Sequence, residues 1–67
     1  MLIKKSITIK KHRTSLSLEK EFWDALKIIA QEKKCSIESL VTNIDTNRNS
    51  SLASSIRVYL LKFYMKN

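Results

Sequence analysis

The chain predicts a mainly α fold in which a short two-stranded β-ribbon lies on a body of helices. Three observations carry this. The N-terminal quarter alternates apolar and polar residues with strand period, the remainder shows helical apolar stripes, and the whole has only 67 residues. A chain of that length buries little apolar surface alone and usually adds disulfides, a metal or a second subunit. One cysteine and one histidine exclude an intrachain disulfide and a four-ligand zinc site. Oligomerisation remains. A single domain over residues 1–67, with a basic N-terminal extension (1–11), is expected to form a homodimer.

The strand signal comes in two runs. From about Ile3, Ile7 and Ile9 lie one strand period apart. From Arg13 to Leu18, Leu16 and Leu18 share a face with Thr14 and His12, while Arg13, Ser15 and Ser17 occupy the other. Ile7 and Ile9 have the parity of Arg13, so one uninterrupted strand would put them on the charged face. A break, bulge or turn is expected near Lys10-Lys11-His12.

Three helices follow. Between Glu19 and about Lys33, Phe22, Leu26, Ile29 and Ala30 fall at i, i+4, i+7 and i+8, with Ala25 beside them. Glu19, Glu21 and Asp24 in the first turns, and Lys33 and Lys34 at the end, complement the helix macrodipole. Ser36 is a good N-cap for a second helix carrying Ile37, Leu40, Val41 and Ile44. The polar stretch from Asp45 to Ser50 ends that pattern. A last helix runs from about Ser51 to Lys66, with Leu52, Ile56, Tyr59, Leu60 and Phe63 inward. A lone, half-covered strand exposes unpaired backbone groups. Pairing Arg13–Leu18 with its copy in a second chain gives a two-stranded antiparallel intermolecular ribbon. The expected dimer core is Leu16, Leu18, Phe22, Leu26, Ile29, Leu40, Val41, Ile44 and Ile56.

Charge points to the partner. The net charge is +7. Residues 1–18 hold five bases (Lys4, Lys5, Lys10, Lys11, Arg13) and no acid, giving +5; residues 19–67 hold eight bases and six acids, giving +2. That asymmetry favours nucleic acid. No apolar run approaches a membrane span or a signal-peptide core, and a single thiol fits a reducing cytoplasm, on the nucleoid if DNA is the partner. The acids fall on polar helix faces with no second histidine, activated serine or glycine-rich phosphate loop, so no enzyme is expected. No cofactor or small-molecule ligand is evident. Cys35 reads as an ordinary turn cysteine, and His12 as a strand residue or phosphate contact.

The stretch His12-Arg13-Thr14-Ser15-Leu16-Ser17-Leu18-Glu19, followed by Glu21-Phe22-Trp23-Asp24-Ala25-Leu26, resembles the bacterial ribbon-helix-helix proteins of MetJ/Arc type. In particular it resembles a small stand-alone subfamily with an HRTS-[LI]-S-L-E strand motif. Ser36-Ile37-Glu38-Ser39-Leu40 resembles the start of that fold's second helix, and Asn49 to Val58 resembles the subfamily's C-terminal helix. The resemblance implies a homodimer whose ribbon enters the major groove of double-stranded DNA. Arg13, Ser15 and Ser17 would then contact bases. Lys4, Lys5, Lys10 and Lys11 would contact phosphate, as would Ser36 and Ile37 through the N-terminus of the second helix. Two departures stand out: short serines hold two of three reading positions, and Lys34 stands where that family commonly has Gly. The expected role is a small transcriptional regulator. The alternatives are an antitoxin, disfavoured because the chain ends almost with its last helix, and a protein-interaction module that uses the fold only to dimerise.

Overall fold

In the computed structural model, which describes residues 1–46 and 50–66, two strands precede three helices. They are β1 (Leu2–Ile9), β2 (His12–Glu19), α1 (Lys20–Glu32), α2 (Ile37–Thr46) and α3 (Leu52–Met65). The strands form an antiparallel hairpin, with Ile9 opposite His12 and Leu2 opposite Glu19. The expected break is a two-residue turn in which Lys10 (φ 51°) and Lys11 (φ 69°) are both left-handed. Such a turn matches the right-handed twist of the strands but usually takes Asn-Gly. Holding two lysines there costs about 1 kcal/mol each.

The turn places both apolar sets on one face. Ile7 and Ile9 from β1, and Leu16 and Leu18 from β2, are buried together. One expectation is corrected here. Within the chain β2 is paired along one edge with β1. Residues 2–9, expected in an extension, are therefore half of the ribbon. The physical reason is loop closure: a two-residue turn joins the strands at little entropic cost.

The helices close over that face. Trp23 of α1 is buried; its indole N–H donates to the Ile3 carbonyl at 2.8 Å, and Lys5 lies over its ring at 5.0 Å. α1 thus clamps the far end of β1. Phe22, expected in the core, is only partly buried, because Trp23 points inward instead. The other expected core residues are buried, within one chain, and Ile7, Ile9, Trp23, Ala30 and Leu60 join them.

α1 ends in a hydrogen-bonded cap. Cys35 N–H donates to the Ala30 carbonyl at 2.9 Å and Lys34 N–H to the Gln31 carbonyl at 3.2 Å, the paired bonds of a Schellman motif. Its left-handed residue is Lys34, φ 56°, where Gly would be unstrained. Ser36 then caps α2 by accepting from Ser39 N–H at 3.0 Å, and Ser51 caps α3 from Ser54 N–H at 3.2 Å. The expected polar break over 45–50 falls partly outside the described residues.

Candidate nucleic-acid interface

Register decides which side chains face away from the helices. Directly opposite residues of an antiparallel pair point to the same side, so the outer face carries the pairs Leu2/Glu19, Lys4/Ser17, Ser6/Ser15 and Thr8/Arg13. Arg13, Ser15 and Ser17 stand together on it, as expected, and Lys4 joins them. Lys4 and Arg13 lie on opposite strands, four residue steps or about 14 Å apart along the ribbon. Between them lie the hydroxyls of Ser6, Thr8, Ser15 and Ser17, none with a protein partner among the described residues. The surface is thus a band of hydroxyls with a cation towards either end.

Ser6 and Thr8 are functional candidates that the sequence reading missed. The signal was present: Ile7 and Ile9 face the core, so their even-numbered neighbours must face out. The alternation alone does not place them, because residues 1–11 read as a basic extension rather than as part of the ribbon.

The remaining lysines separate. Lys10 and Lys11 are exposed at the hairpin tip, and the Lys10 ammonium reaches the Asp45 carboxylate at 3.8 Å. Lys5 has the parity of the core side and sits over Trp23, off the outer face. One acid, Glu19, belongs to that face. Arg57 Nη2 donates to Glu19 Oε1 at 3.0 Å and Arg57 Nε donates at 3.3 Å. Glu19's own backbone N–H and then the Arg57 guanidinium hold its carboxyl below the usual 4.5. This acid is neutralised at the end of the ribbon away from Arg13.

The N-terminus of α2 lies beside the free edge of β1. A two-residue turn makes Ile9 and His12 a hydrogen-bonded pair, so the N–H of Thr8 points off that edge. It donates to Glu38 Oε2 at 2.8 Å. Ser36 spends its hydroxyl on Ser39 N–H, which leaves the first-turn amides of Ile37 and Glu38 open, as helix geometry requires. Ser36 and Ile37 therefore sit near the Thr8/Arg13 end of the ribbon, with amides able to take a phosphate. The Glu38 carboxylate stands in the same place, and the sequence reading did not foresee it.

No helix among the described residues is long and apolar enough to cross a membrane. Among them no group of three or more His, Cys, Asp or Glu residues could hold a metal. Compared with known proteins, the chain matches a family profile described as "Ribbon-helix-helix domain" over residues 2–64. No curated protein and no solved structure matches it.

Proposed function

The chain belongs to the ribbon-helix-helix domain family, whose members bind DNA as dimers in transcription regulators and antitoxins, and on that premise we propose that it binds double-stranded DNA as a homodimer, as a small transcriptional regulator. The observation that carries this reading is the outer face of the ribbon. It lies on one side of the sheet, is positively charged at Lys4 and Arg13, and carries hydroxyls without a protein partner among the described residues. A two-stranded ribbon fits the major groove, where base edges show distinct donor and acceptor patterns.

In this reading Arg13 makes the bidentate contact to guanine, and Ser15 and Ser17 make short contacts beside it. Lys4, Lys10 and Lys11 contact phosphate, with the amides at Ser36 and Ile37 closing on the backbone next to Arg13. Lys5 contributes at longer range. Since serines reach little and discriminate bases weakly, affinity comes mainly from phosphate, and specificity centres on Arg13. Asn or Gln at a reading position can grip adenine; Ser cannot do so with two bonds.

The test is a duplex-binding titration across salt. A dimer that neutralises roughly 6–8 phosphates gives a log–log slope near −5 to −7. Arg13→Ala is expected to lose about 1–3 kcal/mol on a selected site and much less on random duplex. The hydroxyl-rich face also suits a second reading, an interaction module that uses the fold only to dimerise. Weak duplex binding with a flat salt dependence would select that reading and reject ours.

A further inference from the structure

A cleft opens on the helical side of the molecule, between α2, α3 and the end of α1. Its volume is about 670 Å³, within the ordinary range of small-molecule sites. Its floor is apolar: Leu40 and Ile44 of α2 are buried there, with Val58 of α3 beside them. Its walls are polar and basic. Lys33 stands at the end of α1 and Lys62 in the last turn of α3, and Ser39 and Tyr59 line the same space. Among the described residues no Asp or Glu lines it.

The two ammoniums are unspent. Neither Lys33 nor Lys62 has an ion-pair partner among the described residues. Nor does the Ser39 hydroxyl or the Tyr59 phenol have a hydrogen-bond partner there. Each lysine alone has an ordinary explanation, because the end of a helix favours a cation. That accounts neither for their meeting at one cleft nor for a lining free of acids.

We propose that this cleft binds a small organic anion. Lys33 and Lys62 hold its carboxylate head, and Leu40, Ile44 and Val58 receive an aromatic or aliphatic body. Ser39 and Tyr59 supply uncharged donors beside the head. A charge-assisted hydrogen bond is roughly twice as strong as a neutral one, so the head fixes orientation while the body contributes burial. The site stands on the helices and includes no residue of either strand, so it does not rest on the DNA reading.

Charge and shape select this occupant over a macromolecule. A phosphate backbone would engage the two ammoniums and leave the apolar floor unfilled, whereas a carboxylate with a hydrocarbon body satisfies both. A second copy set with this face against the same face would bring like charges together. It also has few acids to offer. Of six, Glu19, Asp24 and Asp45 are paired with Arg57, Lys20 and Lys10, and Glu38 accepts from Thr8 N–H.

Cinnamate, titrated into the isotopically labelled full chain without DNA, tests the site through backbone amide shifts in heteronuclear NMR. The amides of Lys33, Ser39, Tyr59 and Lys62 should shift, with a dissociation constant of about 1–5 mM, as befits so small a probe. Cinnamamide, its neutral counterpart, should bind roughly 5-fold or more weakly. Cinnamate should weaken by a similar factor on a Lys33→Gln, Lys62→Gln protein and bind near the wild-type level on Lys33→Arg, Lys62→Arg. Both lysines are exposed, so circular dichroism should show these variants folded. The comparison of cinnamate with cinnamamide needs no variant and decides the matter if one unfolds. Absence of any shift at about 20 mM cinnamate overturns the proposal, as does cinnamamide or the glutamine protein matching cinnamate on wild type. Shifts confined to Phe22, Ala25 and Leu61 would overturn it in favour of adsorption to the apolar groove between α1 and α3. Cleft amides that move with protein concentration and ignore cinnamate would overturn it in favour of occupation by a second copy. Since DNA is absent from the titration, failure of the DNA reading leaves this result standing, and failure here leaves that reading untouched.

Discussion

At the scale of single residues, the site is defined by where charges end up rather than by how many there are. Glu38 is the clearest case. Its carboxylate accepts from Thr8 N–H and thereby seals part of the β1 edge, but it also places a negative charge beside the amides proposed to hold a phosphate. Glu38→Gln keeps an oxygen acceptor for Thr8 and removes the charge. Duplex affinity is expected to rise several-fold at low salt, with the gain shrinking as salt screens it; fluorescence anisotropy at two ionic strengths checks this. A second residue-scale prediction concerns Glu19 and Arg57. The Glu19 pKa is lowered on folding, so the ionised carboxylate favours the folded state above the unfolded pKa. That contribution is lost as pH falls through the folded value, below 4.5. Glu19→Gln should melt below wild type at neutral pH, and the gap should close on acidification through that window. A gap independent of pH would show that the pair acts through packing alone.

At the scale of elements, the helices were legible because each has a long apolar stripe with its own start signal. Ser36 caps α2 as the sequence indicated, and Lys34 adopts the left-handed conformation at the turn where Gly was missing. The hairpin was half legible. The parity clash between Ile7 and Leu16 located the turn, but a two-residue turn of lysines carries none of the Asn-Gly chemistry that announces a hairpin. Residues 1–11 therefore read as an extension in the sequence, which leaves Ser6 and Thr8 off the outer face that the pairing gives them. Trp23 fits the helix packing that its size suggests, whereas Phe22, on the apolar stripe, is only partly buried. The Ile3 carbonyl, supplied by a strand whose pairing the stripe does not show, is what turns Trp23 in. The strained tip gives this scale its prediction. Lys10→Asn with Lys11→Gly should relieve the left-handed strain and stabilise the fold by about 1–2 kcal/mol, while removing two cations. A chemical melt should shift up and duplex affinity should drop. If affinity were unchanged, the tip would lie away from phosphate, and the strain would need another explanation.

At the scale of the whole molecule, the hairpin changes what dimerisation must accomplish. When the ribbon comes from two chains, folding, association and the DNA-contacting face are one event. Here β1 pairs with β2 within one chain and the helices cover one face of the pair, so part of that face is ordered by the chain itself. The two events can then be separated by salt and by concentration. Duplex binding should be steep in salt, because it replaces counterions on phosphate. Self-association through apolar contacts should respond little to the same salt and should weaken on cooling. The expected outcome is a dimer that persists from low to moderate salt while DNA is released. Sedimentation and anisotropy on the same samples measure both. Were the dimer to dissociate at the ionic strength that frees the DNA, the two processes would share charged contacts, and an association held by apolar packing would be the wrong description of this molecule.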